Sequence, residues 1–544
     1  MTTEEYKKVN PRKSTAQPDH IMLTICGDAR YTMCVMWRTS TDSGKGYMLI
    51  RRDGEEQTTR VDSLDRITKT DLDTNIYHWA KPQNLTPGTK YFYTVGDDSH
   101  RSPEFSFSTQ EDNLTKFRFL VITDQQREDP YECPDYSVER DLLTDALNRY
   151  PDIRFIFTAG DNSNNGENEI QWNGVFSGLE GFCESIPMMM CVGNHDSRGY
   201  GDYFGEDVKK YWPEYADLFN AQFAECYPPT APEKMQGENY SFDYGNCHFT
   251  VLSVNNQDKL GDWLYEDLHS SQKTWKMGAY HFPVYPVMPE GENADGYPYL
   301  RKGVEEGRFD VLFSGHEHSF ARTYPMTDKG MFDKPSQGTI HYIAGNAGRN
   351  VFCTNTRKIW HPKFYPQEER LYLYTIAEVD GNKLTLTAIL EDGRTVDILI
   401  IDKDSDSVFP PEPAPVFERT KCSFKGVIPD LAMRGQYCEQ RNGLWYCPFG
   451  SLARSFGGIV NRTPGKIFID FYGVKAEFTE NSNVATLDGQ EYTLKNSVYK
   501  GQESQLYISV PDIENIFGVN SQYYEHNNMI NFDHPSEKKF IERN

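Results

Sequence analysis

The chain has 544 residues, enough for about three to five domains, each able to bury its own core. Its 80 Asp and Glu outnumber its 56 Lys and Arg for a formal net charge of −24, which argues against nucleic acid or an anionic membrane surface as partner. No apolar run approaches the ~20 residues of a membrane span, so no membrane insertion is expected. The first twenty residues hold no apolar signal-peptide core, which leaves either a cytoplasmic chain or one whose leader has been removed. The 11 cysteines are scattered without a CxxC pair and form no zinc-ribbon spacing, although Cys438 and Cys447 could close a local loop.

Residues 15–112 read as an all-β sandwich. Ile21, Leu23 and Ile25 alternate with polar or small residues, as do Met33, Val35 and Trp37, and Tyr91, Tyr93 and Val95 follow a Pro87-Gly88 turn. Residues 115–403 change rhythm to α/β. FRFLVIT precedes Asp124, FIFTAG precedes Asp161, PMMMCV precedes Gly193, KMGAY precedes His281 and DVLFS precedes Gly315. Between the first of these runs, Val138, Leu142, Ala146 and Leu147, then Ile170, Trp172, Val175, Phe176 and Leu179, recur at helical spacing. Buried strands feeding polar loops at their C-terminal ends point to one shared site at a sheet edge.

Residues 404–417 are rich in Pro and acids and read as a linker. The last segment, 418–540, reads as a small α+β domain with a weak internal repeat. LWYCPFGSLARSFGG and LYISVPDIENIFGV align so that Leu452 matches Ile513, Phe456 matches Phe517 and Gly457 matches Gly518, each copy a strand and then a helix ended by Gly.

The chemistry lies in five segments: TDQQ (Asp124), AGDN (Asp161), GNHD (Asn194, His195, Asp196), AYHFP (His281) and SGHEH (His316, His318). Carboxylates, amide oxygen and imidazoles without thiolate suit Fe, Zn or Mn, and a bridging carboxylate can hold two such ions about 3.5–4 Å apart for phosphoryl hydrolysis. Gly160, Gly193 and Gly315 are read as the sharp turns into the site. His248, His269 and His341 are read as structural, and Arg198 and Arg322 as ion-pair partners that could otherwise reach phosphate.

Five such segments in this order, each after a strand, resemble the calcineurin-like metallophosphoesterase superfamily over about 115–400, with an α-β-β-α central domain. LTPGTKYFYTVGD (85–97) with SPEFSFST (102–109), and WLYEDLHSSQKTWKMGAYHFPVY, resemble its purple acid phosphatase branch, whose members begin with a fibronectin III-like sandwich. The resemblance implies that Asp161 bridges two divalent or trivalent transition metal ions, that Asn194, His281 and His316 complete one site, and that Asp124 and His318 serve the other. It implies that His195 assists the leaving oxygen, oriented by Asp196, while water attacks phosphorus. Two departures stand out: the branch places a Tyr ligand where this chain has Asn164, and many superfamily members place a His where it has Gln126. Without the phenolate the case for ferric iron weakens, and Gln126 or Asn164 could donate an oxygen instead. The family's paired His after the fourth motif is also missing from PVMPEGENADGYPY.

The expected function is therefore a dinuclear metal-dependent phosphatase acting on a small phosphate monoester. A phosphodiesterase or nucleotidase on the same core, and a non-catalytic surface binding protein with a decayed site, are the alternatives. Residues 436–532 resemble the copper amine oxidase N-terminal-like modules of bacterial surface proteins. That implies a secreted or cell-envelope bacterial protein whose C-terminal domain meets a wall or surface partner. The acidic balance does not exclude a small anionic substrate, because two metal ions add about +4 of charge at one point.

Overall fold

A computed structural model of the chain describes residues 13–534 apart from 128–133, 199–215, 289–296, 349–354, 367, 368, 370, 412, 429–436 and 502–504. The last residues of the expected C-terminal domain and most of the stretch after the fourth motif lie outside the described residues.

The N-terminal sandwich consists of two four-stranded sheets, ordered 19–24, 34–40, 74–80, 64–69 and 59–62, 47–52, 90–96, 105–108. Leu23, Val35, Trp37, Met48, Ile50, Tyr93 and Val95 fill the space between them. The intervening positions are not solvent-facing. Met22, Cys34, Met36, Tyr77 and Trp79 point the other way into the core of the central domain, so the strands 19–24, 34–40 and 74–80 are buried on both faces, while the edge strand 64–69 stays largely exposed. The docking is polar as well. Arg38 pairs with Asp19 at 2.7 Å and with Glu169, which also accepts from Tyr77 Oη at 2.7 Å and Asn75 Nδ2 at 3.2 Å. Asp71 accepts the backbone N–H of Glu169 at 2.8 Å, so the sandwich caps the helix Glu169–Leu179 that follows the second motif.

The central domain packs two sheets face to face. We number its site-bearing strands β1 (Lys116–Ile122), β2 (Ile153–Thr158), β3 (Met188–Met189), β4 (Trp275–Tyr280) and β5 (Val311–Ser314). One sheet runs β3-β2-β1 and then 373–380, 383–390, 395–402, 407–409; β1, β2 and β3 are parallel. The other runs 240–244, 247–252, β4, β5, 339–344, 320–327, 330–331, with a parallel centre. Phe119 meets Phe249 edge to face at 5.3 Å, and Phe157 meets Phe313 at 6.1 Å, across the interface. The outer face of the second sheet (Leu252, Tyr280, Leu312) is covered by Leu264 and Leu268 of the helix Gly261–Ser270. The first sheet does not end at 402: Ser407–Phe409 pairs with Thr395–Asp402 as its edge strand, inside the segment read as linker.

The C-terminal region is mostly β rather than α+β. Its sheets are 421–424, 529–533, 520–524; then 439–441, 444–447, 506–509, 499–500; then a five-stranded meander from 459 to 493. Its helices, Phe449–Ser455 and Val510–Phe517, are short, and each follows a strand. They bury the matched Leu452 and Ile513, and Gly457 (φ 87°) and Gly518 (φ 64°) turn the chain out of them. The helical periodicity is real, but it spans two turns in each copy, while the strands between supply most residues. The region docks on the central domain through buried Asn527, which takes the Met331 N–H at 2.7 Å and donates to the carbonyls of Met331 and Pro415 at 3.1 and 2.8 Å.

Candidate metal centre

All five motif segments leave the C-terminal ends of β1 to β5 at one edge of the two sheets, and their side chains meet there. Asp124, Asp161, His316 and His318 adopt φ of 51°, 54°, 69° and 48°. Such left-handed backbone is uncommon outside glycine, and here it turns four donors back over the strand ends.

The glycines act differently from the turn reading. Only Gly160 has a left-handed φ, 100°. At Gly193 and Gly315 the reason is space: a Cβ on Gly193 would lie 2.2 Å from Asp161 Oδ1, and one on Gly315 would lie 2.0 Å from Thr123 Oγ1 and 2.5 Å from Asp124 Oδ2.

Asp161 occupies the middle. Its Oδ1 accepts the His195 N–H at 2.8 Å, and its Oδ2 accepts from Gln126 Nε2 at 3.0 Å and lies 3.2 Å from His281 Nε2. His281 donates Nδ1–H to the Ala159 carbonyl at 2.9 Å, which aims Nε2 inward, the outer-shell arrangement used by metal-binding imidazoles. Asn194 Oδ1 lies 3.1 Å from that Nε2 and 3.0 Å from His316 Nδ1. The donor atoms of Asp161, His281 and His316 lie within 4.8 Å of one another. On the other side, Asp124 accepts the His316 N–H at 2.9 Å and lies 3.5 Å from His318 Nε2.

Electrostatics follow from burial and crowding. Burial pushes Asp124 up to about 8, with the Asp161 charge adding to it. Burial acts the same way on Asp161, yet the charges of His281 and His195 and the His281 hydrogen bond hold it far below the carboxylate range. Burial lowers His281, but the charge and hydrogen bond of Asp161 carry it up to about 9, whereas burial and the neighbouring His281 push His316 down to about 3. Negative charge is concentrated on the carboxylate that faces both donor groups.

The residue set fits two metal ions. Gln126 Oε1 is fully buried beside Asp161 with no hydrogen-bond partner, an oxygen in the place where the usual imidazole is missing. Asp161, His281 and His316, with Asn194 beside the two imidazoles, form one donor group; Asp124 and His318 lie together on the other side, and Gln126 lies against Asp161. The Asn164 side-chain oxygen accepts from Arg198 Nη2 at 3.3 Å, and its carbonyl faces His195 Nδ1 at 3.0 Å.

The expectation that Asp196 orients His195 is not met. Asp196 accepts from Gly193 N–H (2.9 Å), Asn162 N–H (3.2 Å) and Nδ2 (2.9 Å), and Ser163 N–H (2.8 Å) and Oγ (3.1 Å). It binds the AGDN and GNHD loops together, and the Asn164 carbonyl orients the imidazole. Backbone donors in tight loops outcompete a side chain one residue away, whose geometry points elsewhere. Three positioning residues escape a motif reading. Asn162 Nδ2 ties Asp196 to the Cys191 carbonyl, Thr123 donates to Asp124 at 3.1 Å, and Glu317 accepts the N–H groups of Val287 and Met288 at 2.6 and 3.1 Å. Their only sequence signal is adjacency to the ligands. Arg322 pairs with buried Asp397 at 2.6 Å and is structural.

Residues 18–109 match the family described as "Purple acid Phosphatase, N-terminal domain", and residues 117–320 match "Calcineurin-like phosphoesterase". The first match falls on the sandwich, and the second on the part of the central domain that carries the five motif strands through the SGHEH loop. Among curated proteins, it is 24% identical to mouse acid phosphatase type 7 over 316 residues, covering 51% of this chain and 65% of that one. It is 23% identical to probable inactive purple acid phosphatase 27 of Arabidopsis thaliana over 328 residues, 53% of this chain and 51% of that one. The chain spans about half the length of such Arabidopsis relatives. A solved purple acid phosphatase from yellow lupin seeds superposes with a TM-score of 0.56 at 17% identity, over 71% of this chain and 74% of that one, a likeness of fold. Both family matches end by residue 320, so the resemblance to copper amine oxidase-like modules rests on the C-terminal repeat alone.

Proposed function

We propose that the central domain is a dinuclear metal-dependent phosphatase that hydrolyses a small phosphate monoester by water attack. The observation that carries this reading is the convergence of Asp124, Asp161, Asn194, His281, His316 and His318 at the strand ends, four of them on left-handed backbone. Asp161 lies between the two sets of donors and is the residue that would be shared by two ions held there. Two ions bound there would activate a water and offset charge on the phosphoryl oxygens. His195 is held through Nδ1 with its Nε2 3.9 Å from Asp161 Oδ2, at the rim of the cluster, where it carries the proton for the leaving oxygen. Asp196 keeps the two loops in register so that His195 stays there.

No described helix is long and apolar enough to cross a membrane. The partners we propose are the phosphate ester itself and, for the C-terminal domain, a wall or surface component; nucleic acid is not among them. An extracellular or cell-envelope place is part of the same reading.

The engagement of Asn164 with Arg198 favours one rival, a binding protein whose site no longer turns over. Titration of chelated protein with Zn, Mn or Fe(II), followed by a panel of phosphate mono- and diesters, separates these. Metal binding with monoester hydrolysis supports the proposal. Diester preference selects the phosphodiesterase, and metal binding without turnover on any ester selects the rival.

A further inference from the structure

The C-terminal domain holds three cysteines, and Cys438 and Cys447, read from sequence as able to close a local loop, are met by Cys422 as well. The sulfurs of Cys422, Cys438 and Cys447 all lie within 4.8 Å of one another. They come from separate segments. Cys422 lies in the strand Lys421–Phe424, Cys438 just before Glu439–Arg441, and Cys447 ends Leu444–Cys447. Each backbone is independently fixed. Cys422 is in register with Ile530, Cys447 with Ile508, and the Cys438 N–H donates to the Thr420 carbonyl at 2.7 Å. All three are buried, and they belong to the same core as Phe424, Phe449, Leu506 and Ile508.

We propose that this trio is a metal site for a thiophilic d10 ion, Zn(II) or Cu(I), bound by three thiolates and stapling the sheet of 421–424 to the hairpin of 439–447. Three sulfurs that share one ion at a metal–sulfur distance of about 2.3 Å stand about 4 Å apart, inside the 4.8 Å that bounds the separations here. A disulfide needs about 2.05 Å between two sulfurs and would leave the third thiol stranded. Among the described residues no carboxylate or imidazole joins the group, so its donors are uniformly soft, unlike those of the central domain. The site is independent of the phosphatase reading.

Cobalt(II) added to the full chain under reducing, anaerobic conditions reports on it. A sulfur-to-cobalt charge-transfer band saturating at one equivalent is expected, because the central domain's donor groups contain no sulfur. The band should vanish in Cys438→Ser and in Cys422→Ala, and persist in His316→Ala. Native mass spectrometry with Zn(II) or Cu(I) should show one ion that is lost in the same cysteine variants, the better retained ion naming the occupant. Should the variants fail to fold, wild-type protein still decides: a thiophilic chelator should lower the melting temperature of the C-terminal domain by about 5 °C or more. No sulfur band in folded wild-type protein, or a disulfide among the three in chain isolated anaerobically, overturns the proposal.

Discussion

The two donor clusters of this chain are built in opposite ways. In the central domain, the donor residues sit on loops past the strand ends, and four of them hold left-handed backbone. In the C-terminal domain, the three cysteines lie in or beside paired strands, and none is in that region. Left-handed non-glycine residues cost of order 1 kcal/mol each, so the central cluster persists only because its surroundings over-determine it. Those surroundings include the aromatic interface between the sheets and the sandwich docked on the helix that follows Asp161. The cysteine cluster holds no such backbone: Cys422 and Cys447 lie in register in two separate sheets, and Cys438 is tied between them by its N–H to the Thr420 carbonyl. Strain here accompanies the cluster read as reactive, and relaxed geometry the one read as structural.

The sharpest break of this comparison comes from His195→Ala. It should lower kcat by about 10²–10⁴-fold while metal binding in the central domain and the cobalt–sulfur band stay unchanged; a variant with full turnover would remove His195 from the chemistry. Glu169→Ala comes next. It strips Arg38, whose side chain is 1% exposed, of its buried partner and should destabilise the sandwich–central unit by about 3 kcal/mol in urea unfolding. The C-terminal transition should not move. Gly315→Ala forces a Cβ against Thr123 and Asp124 and should cost about 1–3 kcal/mol and weaken central metal binding, again leaving the cysteine cluster intact.

The smallest effect is electrostatic and lies away from both clusters. Burial opposes the charged form of His248, yet hydrogen bonds to Asp243 at 2.8 Å and Asp267 at 3.0 Å raise it to about 9. A raised histidine stabilises most below its unfolded value of about 6.5 and loses that contribution as pH climbs through 9. His248→Asn should therefore cost about 1 kcal/mol at pH 6, with the gap closing by about pH 9.5. A gap that stays constant across that range would mean the pair does not carry the charge assigned to it.

The central cluster was legible because each ligand follows an apolar run and its spacing along the chain marks a strand end. Asp124, Asp161, Asn194, His281, His316 and His318 needed no knowledge of tertiary contacts to be named. What stayed hidden depends on geometry that spacing does not encode. Adjacency suggested that Asp196 serves His195, but the loop turns it onto Gly193, Asn162 and Ser163. Alternation in 21–25 and 33–37 marked strands but not that Met22 and Met36 are buried against a second domain. The three cysteines, 16 and 9 positions apart, carry no motif, and only strand pairing unites them.

The most direct test of the central claim is the recovery of aryl phosphate hydrolysis as metal is returned to chelated protein. The account predicts that turnover is lost on chelation and climbs to a plateau when about two ions per chain occupy the Asp161 cluster, with His195→Ala reaching the same metal content but not the rate. Hydrolysis that survives complete chelation, or its absence with both donor groups filled, would contradict it.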